Sequence, residues 1–275
     1  MKVYLKTKDF LVSKENFTLI HDPSLDMLTT SPQPININSY YETKTYISHN
    51  DESKTIFEKI YQIVKKYTLN KKVKLINQFI NESKSLLDIG SGTGEFLVQA
   101  KKKKWKTFGI EPSVEAKLKA EKKGIHIKEK ITNLTDEKFN VITLWHVLEH
   151  LPNINEQIAI IEKHLEKNGT LIIAVPNFKS YDAEHYKEFW AAYDTPRHLW
   201  HFSQDSIYRL FKKHGFKVIK TLPMYFDSYY VSLLSEKYKT GKRNYLRAIY
   251  YGWLSNRKAN KTGEYSSLIY VLQRG

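Results

Sequence analysis

The chain has 275 residues, of which 41% are hydrophobic and 27% charged, as is ordinary for a soluble globular protein. It contains no cysteine, which excludes disulfides, thiolate zinc sites, iron–sulfur clusters and cysteine nucleophiles. The formal net charge of +15 has two possible explanations. Either the chain binds a phosphate-bearing partner such as RNA, or its composition is rich in lysine for reasons unrelated to any partner. Only six of the 44 basic residues are arginine, which favours the compositional interpretation.

The N-terminus, "MKVYLKTKDF", lacks the apolar core of a signal peptide. No run of about 18 apolar residues appears, so no membrane span is predicted. We therefore expect a cytoplasmic protein.

Residues 1–50 differ from the rest of the chain. Short alternating stretches broken by Asp22-Pro23 and Ser31-Pro32 predict a small β-hairpin appendage. Helical spacing begins near Asp51 or Ser53, either of which is a candidate cap, and a further helical stretch precedes residue 80. We expect an appendage at 1–50 and a larger domain at 51–275.

Strand-like and helical segments then alternate, which predicts an α/β fold with a mostly parallel sheet covered by helices on both faces. The predicted strands are Ser85–Ile89, Thr107–Ile110, Ile125–Ile127, Asn140–Leu144, Thr170–Val175, Lys217–Leu222 and Ser267–Leu272. The predicted helices are Glu95–Lys104, Ser113–Lys123, Asn153–Lys167, Gln204–His214 and helical material across Tyr229–Lys258.

A glycine-rich turn follows the first of these strands in "LLDIGSGTGEFL". The dinucleotide fingerprint G-x-G-x-x-G requires a glycine where this chain has Glu95, and that carboxylate would repel a pyrophosphate at the helix N-terminus. A P-loop is excluded because no Gly-Lys-Ser/Thr follows.

S-adenosylmethionine suits this turn better, because it is a cation without phosphate. Asp88, just before the turn, is placed to orient the amino group of such a ligand, directly or through water. Glu111 lies roughly 20 residues beyond the first glycine, at the end of the next strand, where an acidic residue bonds ribose hydroxyls.

The stretches "LLDIGSGTGEFL", "GIEPS" and "FNVITLWHVLEHLPN", in this order, resemble the class I S-adenosylmethionine-dependent methyltransferases. The resemblance is closest to the subgroup that includes the ubiquinone-biosynthesis O-methyltransferases. It implies a Rossmann-like seven-stranded sheet whose last strand is antiparallel. It also implies a helical insertion at about 226–262, between the last two strands.

The resemblance also implies a set of cofactor-binding residues. After the third strand the family uses an acidic or amide residue to bind the adenine; Asn133 is our choice, with Thr132 and Asp136 as alternatives. The full predicted set is Asp88, Gly90, Ser91, Gly92, Gly94, Glu111, Asn133, Leu144 and Trp145.

The segment "LWHVLEHLPN" places His146, Glu149 and His150 on one helical turn, so these are the candidate catalytic residues. Either histidine is a candidate general base. A related Glu-x-x-Glu-His pattern in the ubiquinone-type enzymes is linked to a divalent ion, but His146 replaces the first glutamate, and we predict no metal. The alternative is that Glu149 and His150 only stabilise the turn.

Aromatic and polar residues crowd the segment Phe189–Ile207, which follows the fifth predicted strand. Aromatic walls suit a flat or apolar acceptor, and an arginine there pairs with a carboxylate or phosphate. Simple packing of the loop is the alternative for its tryptophans. The candidate substrate residues are Trp190, Tyr193, Arg197, His198 and His201.

The N-terminal hairpin resembles a zinc ribbon that has lost its cysteines, with His21, Asp22 and Leu25 near the former ligand positions and no zinc expected. Taken together, the motifs predict a methyltransferase that uses S-adenosyl-L-methionine to methylate a small-molecule acceptor, with O-methylation favoured. An RNA methyltransferase and a non-catalytic cofactor-binding protein are the alternatives. The oligomeric state is not predicted.

Overall fold

A computed structural model describes residues 1–41, 56–80 and 84–275. The candidate caps Asp51 and Ser53 lie outside these ranges. The strands are β1 (Lys2–Lys8), β2 (Asn16–Asp22), β3 (Met27–Ser31), β4 (Ser85–Ile89), β5 (Lys106–Ile110), β6 (His126–Lys128), β7 (Phe139–Trp145), β8 (Leu165–Pro176), β9 (Trp200–His201), β10 (Phe216–Pro223) and β11 (Ser267–Arg274). The α-helices are α1 (Ile56–Ile76), α2 (Glu95–Lys102), α3 (Val114–Lys122), α4 (Ile154–His164), α5 (Tyr181–Tyr186), α6 (Gln204–Lys213), α7 (Asp227–Thr240) and α8 (Tyr245–Thr262).

A seven-stranded sheet in the order β10-β11-β8-β7-β4-β5-β6 forms the centre of the molecule. All neighbouring strands run parallel except β11, which is antiparallel to both β8 and β10. This confirms the predicted α/β fold with an antiparallel last strand. The strand order reverses beside β4, and ligands of open α/β sheets bind at such a point, outside the carboxyl ends of the strands.

Helices cover both faces of the sheet. One apolar core packs α1, α2 and α3 against residues such as Leu86, Val141 and Ile172. The other packs α4 and α6 against Leu87, Ile142 and their neighbours. The central strands are buried on both faces, which explains their continuous apolar sequences.

The N-terminal segment forms three antiparallel strands, β1, β2 and β3, instead of a single hairpin. The short strand β9 extends this sheet, pairing Leu28 with His201 and Thr29 with Trp200. The sequence did not indicate β9, because a strand of two residues has no measurable periodicity. Through β9 the appendage is bonded directly to the larger domain.

The connection between β10 and β11 contains two helices, α7 and α8, in the predicted helical stretch. One helix boundary differs from the prediction. Helix α4 ends at His164, whereas the predicted helix extended to Lys167. Leu165 instead turns to extended geometry and pairs with Phe139 in the sheet. Within the described ranges, no helix is both long and apolar enough to cross a bilayer.

Candidate functional site

The glycine turn joins β4 to α2 at the carboxyl edge of the sheet. Gly90, Gly92 and Gly94 all have positive φ angles, of 71°, 53° and 74°. The backbone N–H groups of Gly90 and Ser91 donate to the Ile110 carbonyl at 2.8 and 3.0 Å, which ties the turn to β5. The turn therefore has a geometry that glycine adopts readily and other residues rarely do.

Glu95 is the first residue of α2, as expected for a carboxylate at a helix N-terminus. Its side chain pairs with Lys65 of α1 at 2.7 Å and lies 3.9 Å from Lys123. The Glu95 carboxylate, whose charge disfavours a pyrophosphate at this turn, is thus paired with two lysines.

Glu111 leaves β5 and places its carboxylate directly on the glycine turn. Oε2 accepts a hydrogen bond from the Gly92 backbone N–H at 2.8 Å, and Oε1 accepts one from the Ser113 N–H at 2.9 Å. The side chain is nearly buried. The two motifs that the sequence separates by about 20 residues are therefore in direct contact.

Asp88, the last polar residue of β4, is buried, and the Thr143 hydroxyl donates to its Oδ1 at 2.6 Å. Burial raises the pKa of Asp88 to about 7. The positive charge of Lys72, from α1, opposes this increase. Burial in turn lowers the pKa of Lys72 to about 8. Asp88 and Lys72 form an electrostatically coupled pair beneath the turn.

Trp145 ends β7 beside this pair. The Lys72 ammonium lies 4.2 Å from the centre of the Trp145 ring, a cation–π contact, and Phe96 packs edge-on against the same ring. The indole Nε1 is buried and has no hydrogen-bond partner in the described part of the chain. Leu144 is fully buried under the turn. This corner already accommodates a cation on an aromatic face.

Asn133 lies apart from this corner, on a short 3-10 helix at Ile131–Asn133 after β6. Its Oδ1 accepts from the Lys130 backbone N–H at 3.0 Å, and its carbonyl accepts from the Lys128 ammonium. The β6 backbone is still close to the turn, since the Glu111 N–H donates to the Lys128 carbonyl at 3.0 Å.

His146 follows Trp145 with a positive φ of 58°, which is uncommon outside glycine. Its Nε2 lies 3.0 Å from Oδ2 of Asp227, at the start of α7, and its Nδ1 lies 3.4 Å from Oε1 of Glu149. Burial alone would lower the pKa of His146, but the two carboxylates raise it to about 10. The imidazole is consequently protonated at neutral pH.

Glu149 and His150 lie on the next short turn, Leu148–His150. The His150 Nδ1 contacts the Arg197 carbonyl at 3.0 Å and the Tyr41 hydroxyl at 2.9 Å, and burial lowers its pKa to about 4. Glu149, His150 and His198 each offer a ligand atom within 4.8 Å of the others. These three side chains are the described residues that could hold a divalent metal ion.

The five candidate substrate residues are buried, and Trp190, Tyr193 and Arg197 line a small pocket together with Thr7 and Tyr238. Trp190 donates from its Nε1 to Asp182 at 2.7 Å, and Tyr193 packs edge-on against it. His198 bonds the Ala192 carbonyl and His201 bonds the Thr30 hydroxyl. Trp190 and Tyr193 belong to the apolar cluster in which the N-terminal sheet meets α5 and α7.

Arg197 is the most enclosed of these residues, with a side chain 1% exposed. Its guanidinium donates to Asp194 at 2.7 Å and to Asp9, beyond β1, at 3.0 Å. It also donates to the Tyr40 carbonyl. Asp9 is fully buried and Asp194 is 15% exposed, and the arginine that pairs with both connects the N-terminal sheet to the domain.

Three charged residues contact or influence predicted site residues although no sequence pattern indicated them. They are Lys72, near Asp88, Asp227, at His146, and Asp9, at Arg197. Lys72 is one lysine among many in α1, and Asp227 lies in a segment that resembles an insertion. No local pattern marks either residue, because each meets its partner only after α1 and α7 pack over the carboxyl edge of the sheet.

Comparison with solved structures supports the fold. Magnesium protoporphyrin IX methyltransferase from Synechocystis, with bound S-adenosylhomocysteine, is 14% identical with a TM-score of 0.57; the alignment covers 86% of this chain and 97% of that one. A possible histamine N-methyltransferase from Thermotoga maritima is 19% identical with a TM-score of 0.50, covering 78% and 96%. Coclaurine N-methyltransferase, bound to N-methylheliamine and S-adenosylhomocysteine, is 16% identical with a TM-score of 0.53, covering 82% and 76%.

No curated protein matches the chain significantly. A family-level comparison of sequences does give a specific result. The sequence profile of the family described as "Methyltransferase domain" matches residues 61–221, which is more than half of the chain. That segment contains the glycine turn, Glu111 and the His146–His150 turn. The chain belongs to this methyltransferase-domain family.

Proposed function

We propose that the protein transfers a methyl group from S-adenosylmethionine to a small-molecule acceptor, with an oxygen atom as the favoured acceptor. The observation that carries this proposal is the contact between Glu111 and the glycine turn. This contact places a carboxylate that can bind ribose hydroxyls beside a turn that lacks the sequence features of phosphate binding.

The residues beside the turn suit this cofactor. The negative charge of Asp88 and the face of the Trp145 ring both attract the Lys72 ammonium, although burial still lowers the pKa of this lysine to about 8. Asp88, Gly90, Gly92 and Glu111 would hold the cofactor, together with Leu144 and Trp145. When bound, it supplies an activated methyl group on a cationic sulfur, so the protein has mainly to orient the acceptor and remove its proton.

His146 is the residue we assign to proton removal. Asp227 and Glu149 hold its ring from two sides at the end of β7, and its side chain is one-third exposed. Of the two carboxylates, Glu149 is the more distant, so the Nδ1 atom is the one we assign to the acceptor. Only the neutral imidazole accepts a proton. Since the carboxylates raise the pKa to about 10, activity that depends on this base increases with pH through the alkaline range.

The names of the structurally similar proteins support a small acceptor. One is named for magnesium protoporphyrin IX, and another is named for coclaurine and binds N-methylheliamine; all three are small molecules. We assign Trp190, Tyr193, Arg197, His198 and His201 to the packed interior behind the site, since their polar atoms are bonded within the protein.

Glu111→Ala should weaken binding of S-adenosylhomocysteine by at least about tenfold, because hydrogen bonds to a charged group contribute about 1.5–3 kcal/mol. Calorimetric titration measures this affinity. Glu115→Ala is the matched control, because this exposed glutamate on α3 pairs with Lys119 on the same helix. Unchanged affinity in Glu111→Ala would remove the basis of the proposed function.

The class of acceptor can be tested with tritium-labelled S-adenosylmethionine and a cell extract. We expect the label in the small-molecule fraction, in a product whose carbon–oxygen bond is identified by mass spectrometry. The Glu111→Ala protein should give little label. Label confined to RNA would contradict the small-molecule proposal, and label on nitrogen would contradict O-methylation alone.

Asp227→Asn should shift the pH dependence of methyl transfer toward lower pH. Loss of the carboxylate removes an interaction that stabilises the His146 imidazolium, so the pKa of His146 falls and the neutral base is present at lower pH. Steady-state rates from neutral to alkaline pH measure this, with Asp205→Asn, an exposed change on α6, as control. An unshifted profile would contradict the role of His146 as base.

A further inference from the structure

Helix α8 packs on the protein through its smallest residues. Ala248, Gly252, Ser255 and Ala259 form its buried face. A Cβ at Gly252 would lie 2.8 Å from the Tyr229 Cα atom, so α7 and α8 are in close backbone contact there. The fully buried positions of α8 therefore hold only small residues, and beside them the half-buried Tyr251 stacks on His185 of α5.

Four large apolar residues of α8 lie on the opposite side, whereas Tyr251 and Leu254 are half-buried. Leu246 is 82% exposed, Ile249 and Tyr250 are each 54% exposed, and Trp253 is 45% exposed. Their spacing of three, four and seven residues places them on one face of the helix. We call these four residues the outer face of α8. An ordinary surface helix has the reverse arrangement, with its large apolar side chains turned toward the core.

Positive charge surrounds this face. Residues 237–261 contain eight lysines and arginines and no aspartate or glutamate. Lys242 and Arg243 are exposed in the turn before α8, and the Arg257 guanidinium lies 5.3 Å from the centre of the Trp253 ring. The aromatic and aliphatic side chains are thus flanked by cations at both ends of the helix.

We propose that the outer face of α8 docks the protein on the surface of a bilayer that contains anionic phospholipids. Leu246 and Ile249 supply aliphatic groups for the acyl boundary, and Tyr250 and Trp253 suit the headgroup level, where aromatic rings concentrate. The surrounding lysines and arginines complement the negative headgroups.

The charge and the apolar chemistry together favour this partner over two others. A second copy of the chain docked face to face would bring the same cations together without acidic partners. A nucleic acid would satisfy the cations and stack on the rings, but it has no apolar surface for the aliphatic pair.

The docking surface belongs to the helix pair that also reaches the candidate site. Asp227 begins α7 and contacts His146, whereas the outer face lies on α8, which packs against α7. Docking would therefore hold the site near the lipid surface. The proposal itself concerns binding only, and it stands whether or not the protein methylates a small molecule.

Vesicle co-sedimentation of the full chain tests the proposal. Wild-type protein should bind vesicles of phosphatidylcholine mixed with phosphatidylglycerol, bind phosphatidylcholine vesicles weakly, and lose most binding in high salt. The double variant Ile249→Ser/Trp253→Ser should bind the mixed vesicles about tenfold or more weakly, because two large apolar groups are lost. The control Leu118→Ser/Tyr208→Ser removes two equally exposed apolar residues from α3 and α6 and should bind like wild type.

A second variant separates charge from apolar contact. Arg243→Gln/Arg257→Gln should bind the mixed vesicles about tenfold or more weakly, because two of the eight cations are lost, while thermal unfolding stays unchanged. The proposal is overturned if wild type binds neither vesicle, or if both serine variants lose binding equally. It is also overturned if Ile249→Ser/Trp253→Ser instead abolishes a dimer in sedimentation velocity, or abolishes binding of a labelled RNA duplex while wild type ignores vesicles.

Discussion

Gly90→Ala is expected to abolish cofactor binding and to destabilise the fold. Gly90 has a φ of 71°, and the left-handed region costs an L-residue about 1–2 kcal/mol. A Cβ atom there would also lie 2.3 Å from the Val147 Cγ2 atom. Overpacking of this kind costs about 1–3 kcal/mol, and valine relieves it poorly because its β-branched side chain is stiff at χ1.

Gly92→Ala provides the matched control for this prediction. Gly92 also has a positive φ, of 53°, but no atom of the described residues lies within 4 Å of the position of its Cβ. It should therefore lose only the conformational contribution of about 1–2 kcal/mol. Urea unfolding measures both variants, and calorimetry with S-adenosylhomocysteine measures binding. Equal losses in the two variants would show that contact with Val147 is unimportant.

Arg197→Ala should lower the free energy of unfolding by about 3–5 kcal/mol, the usual result of breaking a buried ion pair. The substitution leaves Asp9 and Asp194 without their cation inside the protein. Arg209→Ala is the control, since that arginine forms an exposed pair with Asp205 and should contribute less than about 1 kcal/mol. Urea unfolding at neutral pH distinguishes the two.

The same experiment decides between a structural and a substrate-binding Arg197. A substrate-binding arginine would leave stability nearly unchanged and raise the KM for the acceptor.

If Arg197 is structural, we also expect the free energy of unfolding to depend on pH through Asp9. Burial alone would raise the pKa of Asp9, but Arg197 and backbone N–H groups lower it overall. The stability from this pair is present above the unfolded pKa of about 3.9 and is lost as pH falls through the folded pKa. Arg197→Ala should therefore lose less stability on acidification than wild type.

Much of the fold follows from the sequence, because the signals involved are local. Apolar runs such as 85–89 and 140–144 predicted central strands, and Ser113 and Ser203 cap the helices they precede. Glu111 was predicted as a ribose-binding residue because it lies where the second strand of the sheet ends. Its contact with Gly92 then required only that two parallel strands end at the same edge of the sheet.

Other features needed the tertiary structure, because they join segments far apart in the chain. Asp9 and Arg197 are 188 positions apart, and without Asp9 the sequence indicated an arginine free to bind substrate. The charge state of His146 depends on Asp227, on a helix that follows β10. The sequence by itself determined the cofactor turn, since glycine geometry and local charge are properties of neighbouring residues. Burial and long-range ion pairs decided which polar groups are free for chemistry, since only packing determines a group's partners and its exposure to water.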